Sequence, residues 1–318
     1  MTRPAAIILI PNYNGQKLLA RYLPSVVRAA RRAKAEVIVA DDASSDDSVA
    51  WLKTHVPEVA VLVSGKNLGF AENCNRAIQA MNSDFVILLN SDVEVEENFI
   101  GPLLKHFESS SGLFAVSPHF YNQALGGRDE AVTYFHFKRG LIHVAWPCLA
   151  GADPPEQAAP VGYACGGAAA YDRRKFLELG GFDSLFAPYY WEDSDLSYRA
   201  WKRGWRVVFE PQSRVFHQHQ GTISRLASDR RIRQIILERQ LWFNWKNLTD
   251  PDLLFWNFIL WPIRLLYYLV KPDRGPELRA MVTALARIGP CLRHRKQNLA
   301  QLTDREVLRR ARPRIPVS

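Results

Sequence analysis

The first 117 residues alternate between short apolar runs and stretches with helical spacing. Apolar runs at 5–10, 37–40, 59–63, 85–89 and 113–116 predict strands. Segments 17–32, 46–55, 71–81 and 96–107 predict the helices between them. The runs are continuous rather than alternating, which marks strands covered on both faces. This β-α-β-α order predicts an α/β fold with a mostly parallel central sheet flanked by helices. Such sheets bind ligands at the C-terminal ends of their strands. From residue 121 to 163 no period holds, and Gly126-Gly127, Pro147, Pro154-Pro155 and Pro160 predict a long irregular segment. Helical spacing returns over 173–179, ended by Gly180-Gly181, and over 193–203. Residues 206–210 read as a strand and 225–246 as a long basic helix.

Composition narrows the class. With 47% hydrophobic and 23% charged residues over 318 positions, the chain is neither disordered, collagen-like nor a coiled coil. Its four cysteines are widely spaced without a C-x-x-C pair, which argues against a disulfide framework or a zinc ribbon and fits a reducing compartment. The N-terminal apolar run spans six residues before Pro11 and Asn12, too few for a signal peptide, and reads as a buried strand.

The most apolar stretch is 253–270, at ~1.5 Å per residue just short of a ~30 Å hydrocarbon core. Asn257, Pro262 and Arg264 interrupt it, and Trp256, Trp261, Tyr267 and Tyr268 suit a membrane interface. Three placements stay open: in the plane of a membrane surface, packed on the main domain, or spanning. The formal charge of +9 sharpens this. Residues 251–318 hold 13 Lys plus Arg against 5 Asp plus Glu, so the first 250 residues are nearly neutral. The pattern divides the chain into a domain over 1–250, with halves at about 1–117 and 118–250, and a basic, aromatic-rich helical tail over 251–318 that includes Arg293, Arg295 and Lys296. Such a tail is expected to meet an anionic membrane surface rather than nucleic acid, for which no specific motif is visible.

Each early strand is followed by a polar cluster: Pro11-Asn12-Tyr13-Asn14-Gly15, Asp41-Asp42-Ala43-Ser44-Ser45-Asp46, Lys66-Asn67-Leu68-Gly69-Phe70 and Asn90-Ser91-Asp92. Singly, each is an ordinary turn or helix cap. Together they converge on one rim of a parallel sheet. No phosphate-binding glycine loop is present. Carboxylates dominate instead, and these hold phosphates through a divalent metal, Mg²⁺ or Mn²⁺.

In these clusters the chain resembles a family 2 glycosyltransferase with the GT-A fold, most closely the bacterial rhamnosyltransferase-like branch. The resemblance rests on IPNYNG (10–15), ADDASSDDS (40–48), KNLGFAENCNRAI (66–78), LLNSDVEV (88–95), CGGAAAYDRRKFLELGGFD (165–183), YYWEDSDLSYRAWKRGWRVVFEP (189–211) and RVFHQHQGT (214–222). It covers about residues 5–250, and the last 70 residues match more weakly.

The resemblance implies a nucleoside-diphosphate-sugar donor (dTDP-, UDP- or GDP-linked), a lipid-linked or glycan acceptor, inversion at the anomeric carbon, and a cytoplasmic enzyme peripheral on the inner membrane face. By similarity, Pro11 and Tyr13 line the base pocket, Asp42 accepts from the base, Asp41 orients the ribose, and Lys66 meets the diphosphate. Gly69 and Gly167 permit close backbone approach, and Trp191 offers a face to a sugar ring. Asn73 reads equally as a polar residue of its helix. Asn90 replaces the first carboxylate of the usual Asp-x-Asp motif and falls to the donor sugar or ribose. Asp92 and His217 are implied as metal ligands, with His219 facing the other way. Asp193 is implied as catalytic base, against a reading as a helix cap. Asp195 and Arg199, four apart, read as a helix ion pair. A nucleotidyltransferase or a non-catalytic membrane- or nucleic-acid-binding protein are the competing readings. The first predicts a Gly- and Arg-rich first loop, and the second predicts loss of Asp92 or Asp193.

Overall fold

The computed structural model describes residues 5–108, 110–122, 126–217, 228–270, 272–295 and 300–314. His219 and Lys296 lie outside them.

In the first half the strands are β1 (Ala6–Asn12), β2 (Glu36–Asp41), β3 (Ala60–Val63), β4 (Phe85–Leu89), β5 (Val93–Val95) and β6 (Leu113–Asn122). Helices α1 (Gln16–Ala33), α2 (Ser48–His55), α3 (Phe70–Ala80) and α4 (Ile100–Glu108) connect them. The second half adds β7 (Arg128–Asp129), β8 (Tyr134–Lys138), β9 (Leu141–Ala145), β10 (Ala159–Pro160), β11 (Ala168–Asp172) and β12 (Arg206–His217). Its helices are α5 (Arg173–Glu178), α6 (Glu192–Lys202), α7 (Asp229–Asn247), α8 (Pro251–Val270), α9 (Gly275–Leu285), α10 (Ile288–Arg295) and α11 (Asp304–Arg310).

The main sheet runs β10-β12-β6-β11-β4-β1-β2-β3. Strands β1 to β4 are parallel, with Asn12 paired to Asp41 and Leu9 to Leu88, so their C-terminal ends form one edge. The sheet is mixed beyond that point. β11 runs antiparallel between β4 and β6, while β12 runs parallel to β6. Near-continuous burial of β1, β4, β6 and β11 places the core at the middle of the sheet.

Several expectations change. The segment 121–163 is not wholly irregular: it contains β7, the β8–β9 hairpin and β10, whose short strands leave no long period to read. The strand expected over 206–210 continues to His217 through a register shift after Glu210. The helix expected from 225 is described from Asp229, where Ser228 caps it.

The chain after residue 251 folds back on the rest. Asp304, fully buried, accepts from Tyr198 Oη at 2.7 Å, Lys202 Nζ at 2.8 Å and the Asp250 amide at 2.7 Å. Helix α8 is arranged with its polarity inverted. Asn257 and Arg264 turn toward the protein and donate to the carbonyls of Gly140 and Arg139. Phe255, Phe258, Ile259, Ile263 (59%) and Leu266 (61%) are exposed instead. The helix is long and apolar enough to cross a membrane, by length and composition.

Candidate active site

The strand-end clusters meet at the C-terminal edge of the parallel strands and are stitched together by their own carboxylates. Asp41 is fully buried: its Oδ2 accepts from Asn12 Nδ2 at 2.8 Å and Ser44 Oγ at 2.7 Å, and its Oδ1 from the Ser44 amide at 2.9 Å. That carboxylate therefore ties the first loop to the second. Asp42 ties the second to the third, both oxygens accepting at 2.8 Å from the amides of Leu68 and Gly69. Neither residue caps α2, whose N-cap is Asp47. Asn73 is buried and donates to the Ala40 carbonyl at 2.8 Å, locking α3 against β2.

Gly69 has φ +82° and ψ 164°, a conformation reserved in practice for glycine. Space over its α-carbon is open, so its backbone angles, not protein crowding, demand glycine. Pro11 is half-buried, Tyr13 exposed on the rim, and Lys66 exposed nearby in the third loop.

A second line of contacts crosses the sheet from Asp193 to His217. Gly166 N–H donates to Asp193 Oδ2 at 3.2 Å, and the next residue, Gly167, accepts from the Asn90 amide at 2.9 Å. A Cβ on Gly167 would lie 3.1 Å from Phe120 and 3.2 Å from Asn90 Nδ2. Two residues after Asn90, Asp92 places Oδ2 3.5 Å from His217 Nε2. His217 stacks on Phe120, and its Nδ1 meets Glu130 Oε2 at 2.9 Å. Burial opposes charge on this imidazole, but the Asp92 and Glu130 carboxylates outweigh it and raise its pKa to about 9.

Asp193 sits in the first turn of α6, whose N-cap is Trp191 rather than Asp193. Tyr190 and Trp191 both adopt left-handed backbone, at φ 73° and 75°. Two consecutive non-glycine residues there store strain, a feature that clusters at functional sites. The Trp191 ring packs on Phe243 at 4.8 Å, half-buried. Beside Asp193, Glu192 is half-buried and its Oε2 finds no hydrogen-bond partner among the described residues. Desolvation raises the pKa of both neighbouring carboxyls, and the charge of Asp193 raises Glu192 further. Asp195 points away from this edge and pairs with Arg199 at 2.8 Å, as the spacing predicts.

Sequence reading missed two members of this edge. Glu130 lies in the segment without period and carries no motif. Glu192 stands inside a quoted motif, and its adjacency to Asp193 was the available signal.

Asp92 and His217 supply a carboxylate and an imidazole, a donor pair that would suit a divalent ion. Among the described residues no group of three or more His, Cys, Asp or Glu side chains is placed to hold an ion.

The model of glycosyl transferase family 2 matches residues 7–180. The chain is 28% identical over 233 residues to the N-acetylglucosaminyl-diphospho-decaprenol L-rhamnosyltransferase of Mycobacterium tuberculosis, covering 66% of this chain and 75% of that protein. It is 30% identical to mouse polypeptide N-acetylgalactosaminyltransferase 10 over 68% of this chain, but spans 38% of that longer relative. Among solved structures, GalNAc-T7 with UDP, GalNAc and Mn²⁺ superposes with a TM-score of 0.63 at 18% identity, over 95% of this chain and 59% of the other. The Pyrobaculum calidifontis mannosyltransferase PcManGT, solved with GDP-Man and Mn²⁺, gives 0.55 at 19% identity, over 92% and 79%. At these identities the likeness to solved structures is one of fold. With more than half of the residues matched, the chain belongs to glycosyl transferase family 2 and carries its GT-A fold.

Proposed function

We propose that this glycosyltransferase is inverting and moves a sugar from a nucleoside-diphosphate donor to a hydroxyl of a lipid-linked or polysaccharide acceptor, with rhamnose as the first sugar to test. The observation that carries the reading is the continuous line from Asp193 through Gly166-Gly167 and Asn90 to Asp92 and His217.

An inverting transfer is one in-line displacement, so one base suffices. Asp193 takes the acceptor hydroxyl proton as the oxygen attacks the anomeric carbon. Its burial favours the protonated form and so makes it a stronger base than an exposed aspartate. The Gly166 amide holds the carboxylate in place. The loops tied by Asp41 and Asp42 form the nucleoside side, with Pro11 and Tyr13 beside the base, and Lys66 and the open space over Gly69 on the diphosphate side. Asn90 and Trp191 face the donor sugar. Asp92 and His217 would hold Mn²⁺ or Mg²⁺, which when bound neutralises charge on the leaving diphosphate. His217 must lose its proton to serve. The outward apolar face of α8 and the basic charge after residue 251 support a membrane-surface location, where a lipid-linked acceptor is met.

A donor screen tests this reading: dTDP-, UDP- and GDP-sugars, each with and without Mn²⁺, followed for sugar release and transfer. One donor class with metal-stimulated turnover is expected. If no nucleotide-sugar is turned over and no nucleoside diphosphate raises the unfolding temperature, the reading is lost.

A further inference from the structure

The β8–β9 turn is clamped to α8. Asn257 Nδ2 donates to the Gly140 carbonyl at 2.7 Å and Arg264 to the Arg139 carbonyl at 2.5 Å. A Cβ on Gly140 would come within 2.7 Å of the Trp256 carbonyl, so turn and helix are in direct backbone contact. Between this turn, α8 and α11 lies a cleft of about 400 Å³, lined by Phe137, Arg139, Trp256, Leu260, Arg305 and Leu308. Its walls combine polar and apolar surface in about equal measure, and its two arginines come from distant segments.

Arg139 is exposed and has no acidic partner among the described residues. Arg305 pairs with Asp252 at the surface, an arrangement worth little in water. Lys138, exposed, adjoins Arg139 in the same turn. The clamp fixes Arg139 against α8, the helix whose Phe255, Ile259 and Ile263 are exposed.

We propose that this cleft binds the phosphate headgroup of an anionic membrane phospholipid. The guanidinium groups of Arg139 and Arg305 meet the phosphate, and the acyl chains run along the outward face of α8. The inference rests on the membrane placement proposed above and names its lipid. A lipid satisfies both halves of the surface at once, anion at the cations and hydrocarbon at the apolar face. A second copy packed here by two-fold symmetry would bring the same cations into one interface.

The test is co-sedimentation of the full chain with vesicles of phosphatidylcholine alone and of phosphatidylcholine with phosphatidylglycerol. Three proteins are compared: wild type, an Arg139→Asn/Arg305→Gln variant and an Ile259→Ser/Ile263→Ser variant. Asparagine suits the left-handed backbone of Arg139, at φ 50°. Wild type is expected to prefer the phosphatidylglycerol vesicles. The arginine variant should bind them roughly 30-fold more weakly, since each basic group near an anionic surface contributes about a factor of five, while its unfolding temperature stays at the wild-type value. The isoleucine variant should lose binding to both vesicles.

An arginine variant that keeps the full preference overturns the headgroup site. Equal wild-type binding to both vesicles also overturns it and leaves the membrane reading standing. Wild type that binds neither vesicle, or that self-associates through this face instead, overturns both. Sugar transfer to a soluble acceptor, measured in parallel, reports separately on the catalytic reading.

Discussion

Asp92 and His217 face each other at the end of the sheet, Oδ2 to Nε2 at 3.5 Å, while the opposite nitrogen of His217 is held by Glu130 at 2.9 Å. The ring is thereby fixed between two carboxylates, one on each nitrogen. Glu130 also accepts from Asn122 Nδ2, so the orienting carboxylate is itself oriented.

This relationship predicts the effect of Glu130→Gln. Under the proposed reading Glu130 supports a metal-binding histidine from behind, and loss of such partners typically weakens metal affinity about 10–100-fold. The Mn²⁺ concentration for half-maximal activity should rise by roughly that factor. A titration that leaves it unchanged removes Glu130 from the site.

Asp193→Asn should lower kcat by about 10²–10⁴-fold, the usual worth of a positioned general base. The asparagine oxygen can still accept from Gly166 N–H, so the fold should survive. Circular dichroism and donor KM near wild type would accompany the loss. A folded variant with wild-type turnover would exclude Asp193 as base.

Glu192→Gln should separate from wild type progressively as pH rises above the ordinary glutamate range. The folded protein holds the Glu192 proton to a higher pH than the unfolded chain does, because of desolvation first and Asp193 second. Stability is therefore full below the ordinary glutamate range and falls as pH rises through the raised folded value. Glutamine cannot ionise, so the variant should be more stable by about 1–2 kcal/mol at pH ~9 and match wild type near pH ~5. Urea unfolding at the two pH values decides it.

Asp195→Asn should be among the most damaging single changes. Asp195 is fully buried and accepts from Arg199 Nε at 2.8 Å, Lys246 Nζ at 2.7 Å and Asn247 Nδ2 at 2.8 Å. Neutralising it leaves buried cations short of a partner, at a cost of about 3–5 kcal/mol. A lowered urea midpoint at unchanged slope is expected. A midpoint near wild type would show that Asp183, which also pairs with Lys246, compensates.

Gly69→Ala should cost about 1–3 kcal/mol through backbone strain alone, since nothing crowds its Cβ. Moving this amide loosens the grip of Asp42 on the third loop, so donor KM should rise with the loss of stability. Unchanged stability would mean that the loop relaxes at no cost.

Much of this arrangement was legible along the chain. Continuous apolar runs separated by helical spacing specify strands covered on both faces, because burial acts on neighbours a few residues apart. The polar clusters after 10, 40, 63 and 89 marked the edge on which the strand-end loops meet, since a parallel sheet must bring successive strand ends together. The motifs around Asp92, Asp193 and His217 named the residues that the fold places along one line. Contacts between distant segments were decided only in three dimensions. No local pattern announces that Glu130 backs His217, that Asp41 and Asp42 turn inward to tie loops, or that Glu192 keeps an oxygen without a partner among the described residues. The same holds for α8: composition marked it as apolar, but only packing on the β8–β9 turn decided that Asn257 and Arg264 face the protein and the hydrocarbon side chains face out. Periodicity is a property of neighbours in sequence, whereas pairing, orphaned atoms and the outward face of a helix depend on which remote residues fill the other side.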